Sequence, residues 1–308
     1  MDKDIQPDPA AGARAKAGNP AGQVNAEVRA IGEIIRATRD LTAQQVEQIL
    51  AHQRSHGVRF GEAAIALGLA TPDDVLQALA EQFNYAYGTE GAPGLRNEVV
   101  VLSQPFGPQA EAIRALRAQL QMRWAQSAAE GLTRKRALAV ISPSTGDGKT
   151  FFATNLAVAL AQMGERTLII DADLRGPRLD AIFGVERTIG LAGLLSGRRA
   201  ESSVIKAVGG VPNLFVLPVG ISPPNPQELI EGAAFGVLLH ELLGKFTHVI
   251  VDTPALEYGA DAQVIAARCG QALVVARKVA TKVSELQDLV GALAAVNTTI
   301  TGVVLNDH

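Results

Sequence analysis

From Ala137 onward the sequence alternates continuous apolar runs with stretches of helical periodicity, and this alternation constrains the fold more than any other feature. The runs are Ala137–Ile141, Thr167–Ile170, Leu214–Leu217, His248–Val251, Ala272–Ala276 and Ile300–Leu305. A strand that is apolar at every position, rather than at every second one, is buried on both faces. Such strands separated by helices predict an α/β domain, a doubly wound parallel sheet with helices on either side.

The part before this domain has a different grammar. Val46, Ile49 and Leu50, then Val75, Leu76 and Leu79, are spaced for one apolar helix face each. Sliding Ile31–Gln53 by 29 residues onto Phe60–Gln82 gives nine identities in 23 pairs, among them Gly32/Gly61, Thr42/Thr71 and Gln53/Gln82. Two copies of one helical unit are implied. Thr71, followed by Pro72, Asp73 and Asp74, is a strong helix start. The chain therefore divides into a disordered Ala/Gly/Pro-rich tail over residues 1–25, a small helical tandem-repeat domain over 26–87, a linker over 88–105 and the sheet domain over 106–308.

The net charge of -3 and the absence of any Lys/Arg-rich run argue against a nucleic-acid partner. The lone Cys269 excludes an intramolecular disulfide, which fits a cytoplasmic chain. No apolar run approaches the ~18–20 residues that span a bilayer, and the N-terminus lacks a signal-peptide core. Membrane association is expected only through a partner.

The first strand leads into ISPSTGDGKT, in which Gly148, Lys149 and Thr150 end the pattern G-x-x-x-x-G-K-[ST]. A glycine-bearing turn between strand and helix lets backbone amides converge on phosphate, and the helix N-terminus adds positive potential. Lys149 is placed to bridge phosphates, and Thr150 to offer a hydroxyl to Mg²⁺. Asp171 and Asp173 stand at the end of the second strand and Asp252 at the end of a later one. Ligands of open parallel sheets lie at the carboxyl ends of strands, so these acids are expected to meet the loop around one Mg–nucleotide.

These residues resemble the bacterial tyrosine kinases of exopolysaccharide synthesis, in the short cytoplasmic form that works with a separate membrane chain-length determinant protein. The resemblance runs from Gln104 to Asn306. It rests on SPSTGDGKT, on IIDADLRGPRL with Asp171, Asp173 and Arg175, on IVDTP with Asp252, on PPNPQEL from Pro223 to Leu229, and on the EAIRALR helix with Glu111, Arg114 and Arg117. It implies a P-loop fold, ATP and Mg²⁺ as cofactors, and tyrosine autophosphorylation in trans within a ring-like homo-oligomer. The implied nucleotide contacts are Gly146, Asp147, Gly148, Lys149, Thr150, Phe151 and Arg175, with Asn306 reading the adenine. Lys149, Asp171, Asp173 and Asp252 would be catalytic. Thr150, Asp171 and Asp252 would hold the metal, and Asp171 would accept the tyrosine proton. Glu111, Arg114 and Arg117 would contact a neighbouring subunit; as a plain helix stripe, they equally fit a solvated charge ladder.

Pro143 replaces the opening glycine, and Ala255 replaces the second proline usual after the DTP element. Tyr85, Tyr87 and Tyr258 are the chain's three tyrosines, with no C-terminal tyrosine cluster. Autophosphorylation is therefore expected to be low or confined to Tyr85 and Tyr87. A ParA/MinD-type ATPase shares the sheet and the acids, but Ser144 stands where its signature lysine belongs. A low-turnover nucleotide-binding scaffold is the other alternative.

The helical repeat resembles the N-terminal domain of type II secretion and pilus assembly ATPases through Arg59, Phe60, Gly61, Gly68, Val75, Leu79 and Gln82. Two copies in that family can clamp cyclic di-GMP. The upstream copy has Ala30 in place of the arginine and Arg39 in place of the second glycine, which favours a protein-docking module over a sensor.

Overall fold

The computed structural model describes residues 31–82, 98–129, 137–186, 189–198 and 204–307. The expected tail over 1–25, Tyr85 and Tyr87 lie outside them. The chain forms two compact units, Met1–Ala78 and Leu79–His308.

Helices α1 (Ile31–Thr38), α2 (Ala43–His56), α3 (Phe60–Ala66) and α4 (Pro72–Gln82) carry the repeat. The core of the first unit is built from Ile34, Ile35, Ile49, Ala63, Ala64 and Ala78. Thr42 starts α2 with a capping box closed by Gln45. Thr71 and Asp74 do the same for α4: the Asp74 carboxylate accepts the Thr71 amide at 2.6 Å, and the Asp74 amide donates to the Thr71 hydroxyl at 3.2 Å. Arg39 Nε also reaches Asp74 Oδ2 at 2.6 Å. The residue that departs from the repeat's glycine thus ties the first copy to the capping acid of the second. Gly61 is required by packing, because a Cβ there would lie 2.7 Å from Val75 Cγ1.

The second unit opens with α5 (Val100–Ser103) and α6 (Pro108–Ala129), followed by β1 (Ala137–Ile141), α7 (Lys149–Ala161) and β2 (Thr167–Asp171). Then come α8 (Leu179–Phe183), α9 (Leu191–Leu195), β3 (Lys206–Ala207), β4 (Leu214–Leu217), α10 (Pro226–Glu231), α11 (Ala233–Lys245) and β5 (His248–Asp252). A 3₁₀ turn at Leu256–Tyr258, α12 (Asp261–Cys269), β6 (Gly270–Arg277), α13 (Val283–Ala295) and β7 (Thr299–Asn306) complete it.

The strands form one sheet in the order β3-β4-β2-β5-β1-β6-β7. Every pairing is parallel except β3 with β4. Apolar continuity along the strands now has its reason. In β1, Ala137, Ala139 and Ile141 face one core, while Leu138 and Val140 face the other. Leu168 and Ile170 against Ile169 in β2, and Val249 and Val251 against Ile250 in β5, alternate in the same way.

Two parts of the sequence reading need correction. Part of the stretch 88–105 is not linker: Val99, Val101 and Leu102 are buried in the core beneath α6 and α7, and Val101 N–H donates to Asn155 Oδ1. The antiparallel edge strand β3 went unread, because two residues carry no periodicity.

Candidate active site

The sheet order places β1 between β5 and β6, with β2 beyond β5, so the loops after β1, β5 and β2 open side by side at the carboxyl ends of these parallel strands. Asp171 and Asp252 are register partners, and Val140 of β1 pairs with Asp252 from the other side. Acids far apart in sequence are thereby set beside the glycine loop. Lys149, Asp171 and Asp252 are all buried.

The loop has the backbone its sequence demands. Gly146 and Gly148 have φ of 83° and 106°, values that favour glycine, and a Cβ at Gly148 would come within 2.5 Å of Asn306 Nδ2. Asn306 Nδ2 in turn donates to the Asp147 carbonyl at 3.0 Å. Asp147 braces the loop internally: its carboxylate accepts the Ser144 amide at 2.9 Å and the Thr281 hydroxyl at 3.0 Å. Phe151 packs edge-on against Phe152.

Lys149 Nζ donates to Ser142 Oγ at 2.9 Å. Burial pushes its ammonium below the usual lysine range, opposed by the charges of Asp252, Asp173, Asp147 and Glu257. Asp252 is pushed up to about 7, chiefly by burial, against the pull of a Thr150 hydrogen bond and the Lys149 charge. Its Oδ1 is buried without a hydrogen-bond partner. A buried, unpartnered carboxylate oxygen beside a threonine hydroxyl suits a hard cation, which takes oxygen ligands. The residues present fit Mg²⁺ and the phosphates it accompanies.

Asp171 is used differently from its neighbour. Its Oδ1 accepts the Asp173 amide at 3.2 Å, and its Oδ2 accepts the Arg178 and Leu179 amides, each at 3.0 Å. It therefore caps α8 and shapes the loop. Burial and the adjacent Asp252 charge hold its carboxyl well above the ordinary range. In Asp173, Oδ1 takes the Arg175 and Gly176 amides, and Oδ2 carries no hydrogen bond among the described residues.

Arg175 Nε is bonded to Asp261 Oδ2 at 2.9 Å, at the start of α12. Arg117 donates to the Ala159 carbonyl at 2.9 Å, and Arg114 bonds both Glu111 and the Pro105 carbonyl. Two arginines of that stripe are thus engaged within their own unit, while the Glu111 side chain is 63% exposed. Ser142, Glu257 and Thr281 also belong to the site. Sequence reasoning missed them: Ser142 stands inside the SPSTGDGKT run itself, whereas Glu257 and Thr281 reach the loop from 112 and 134 residues away, where no motif marks them.

The CobQ/CobB/MinD/ParA nucleotide binding domain matches residues 138–308. A putative tyrosine-protein kinase, CapB of Staphylococcus aureus, is 35% identical over 171 residues, covering 56% of this chain and 75% of that protein. The chain belongs to the bacterial tyrosine-protein kinase family. Another relative, the tyrosine-protein kinase ptk of Acinetobacter johnsonii, is 38% identical over 196 residues, or 64% of this chain. The chain spans only 26% of that protein's length. The solved kinase domain of Escherichia coli tyrosine kinase ETK is 31% identical, with a TM-score of 0.61 over 68% of this chain and 79% of that one. The kinship with MinD and ParA proteins is the more distant one of the shared nucleotide-binding domain. No helix among the described residues is long and apolar enough to cross a membrane.

Proposed function

We propose that this chain is an ATP-dependent protein-tyrosine kinase that acts in exopolysaccharide chain-length control beside a membrane chain-length determinant. The observation that carries the reading is the unpartnered buried Oδ1 of Asp252, set with Thr150 and Lys149 at the mouth of a glycine-bearing loop. Bound Mg²⁺ would supply charge neutralisation to the phosphoryl being transferred. Thr150 and Asp252 would hold it, and Lys149 would swing from Ser142 to the phosphates. A phenol of pKa ~10 needs a carboxylate to take its proton. Asp173, with one oxygen uncommitted, suits that task better than Asp171, whose oxygens hold three amides. Asn306, beside Gly148, is assigned to the adenine side.

The cytoplasmic tail of the membrane partner is the expected activator, with the chain peripheral to the inner membrane through it and Glu111 at a contact between copies. Incubating the full chain with MgATP and that tail, then separating phosphotyrosine from free phosphate, tests the reading. Phosphotyrosine supports it. Free phosphate alone would favour a ParA/MinD-like ATPase, and neither product a regulatory scaffold.

A further inference from the structure

The phosphate loop already holds an anion of the protein's own. Glu257 Oε1 accepts the Thr145 amide at 2.6 Å, joining residues 112 apart in sequence. The contact is reinforced along the backbone: Leu256 N–H donates to the Ser142 carbonyl at 3.0 Å and Glu257 N–H to the Pro143 carbonyl at 3.1 Å. The whole Leu256–Tyr258 turn is thereby laid along the start of the loop. The two hydrogen bonds to Thr145 hold the Glu257 carboxyl below the usual range, so the contact is ionic at neutral pH.

With Asn306 on the adenine side, as proposed above, the sheet order gives the end of a nucleotide that meets this carboxylate. Asn306 closes β7, which lies beyond β6 on one side of β1, and Glu257 follows β5 on the other. A nucleotide whose base lies towards β6 and β7 runs its phosphates towards β5, so its outermost phosphate arrives beside Glu257. Thr145 is also the loop residue before Gly146, outside the turn at Gly148 and Lys149 that cradles the inner phosphates.

We propose that Glu257 is a specificity-determining residue for the number of phosphates. Its carboxylate stands at Thr145 where the third phosphate group would come, so a triphosphate must displace it and a diphosphate need not. Two anions near one amide repel each other, so a triphosphate meets a repulsion there that a diphosphate does not.

The inference rests on the nucleotide reading above, and the test separates the two. Calorimetric titrations of the full chain with a non-hydrolysable ATP analogue and with ADP, both with Mg²⁺, are run on wild type, Glu257→Gln and Glu257→Ala. The side chain is exposed, so both variants should fold. Both should tighten the triphosphate analogue by about threefold to tenfold and change ADP by less than about twofold. An unchanged triphosphate-to-diphosphate ratio in both variants overturns this proposal alone. Absence of binding by wild type to either nucleotide overturns the nucleotide reading and this proposal together.

Discussion

Lys149 Nζ is hydrogen-bonded to Ser142 Oγ, which itself donates to the Ser144 carbonyl at 2.7 Å. The lysine is therefore stored against the start of its own loop, partly desolvated and facing two strand-end acids across the site. Seating phosphate exchanges two neutral acceptors, Ser142 Oγ and the Ser144 carbonyl at 3.4 Å, for charged ones, each charge-assisted hydrogen bond being about twice as strong.

Lys149→Ala should weaken binding of MgATP at least about tenfold, the equivalent of one charged hydrogen bond lost, and abolish phosphotransfer. Equilibrium titration with a fluorescent ATP analogue measures the first effect. Affinity equal to wild type would remove Lys149 from the site.

Asp252 gives a pH dependence of definite sign. In the unfolded chain it titrates near its ordinary 3.8, and in the folded chain near about 7. Between these values the native state binds more protons than the unfolded one, so this group makes the native state less stable as pH rises through the window. In metal-free and nucleotide-free buffer, Tm should fall more between pH 5 and 7.5 for wild type than for Asp252→Asn. Parallel curves for the two proteins would refute the assignment.

Asp171→Ala should cost about 2 kcal/mol of stability, since it removes the acceptor that caps α8 and leaves three amides without it. Chemical denaturation measures it. A loss of activity with no loss of stability would return Asp171 to a purely chemical role.

Within the charged stripe of α6 the effects should separate. Glu111→Ala should leave Tm unchanged and lower the mass seen by light scattering. Arg117→Ala should destabilise the monomer by about 1 kcal/mol through the lost bond to the Ala159 carbonyl. An unchanged mass for Glu111→Ala would make the stripe a structural feature of one subunit.

For the first unit, cyclic di-GMP binding is expected to be weak or absent, and submicromolar affinity by calorimetry would overturn that. Asp74→Ala should lower the unit's stability by about 1–2 kcal/mol, because the same carboxylate caps α4 and holds Arg39.

What the sequence by itself determined is what local pattern can encode. Apolar runs marked six strands; in β1, β2, β5 and β6 burial on both faces keeps the run apolar, whereas in the edge strand β7 Val303 and Leu305 are exposed and the run does not report burial. The Gly148-Lys149-Thr150 turn was legible because a phosphate loop needs positive φ and a helix start within a few residues. The division of labour among the acids was decided only by tertiary structure. Asp171 became a cap and Asp252 an unpartnered oxygen because parallel pairing set them side by side, while the first turn of α8 closed over Asp171 alone. Glu257 and Thr281 reach the loop from 112 and 134 residues away, and no pattern within a strand or helix records such a contact. Nor could periodicity show that Arg114 and Arg117 turn inward, because a helix stripe fixes the face a side chain shares and not the partner that it meets.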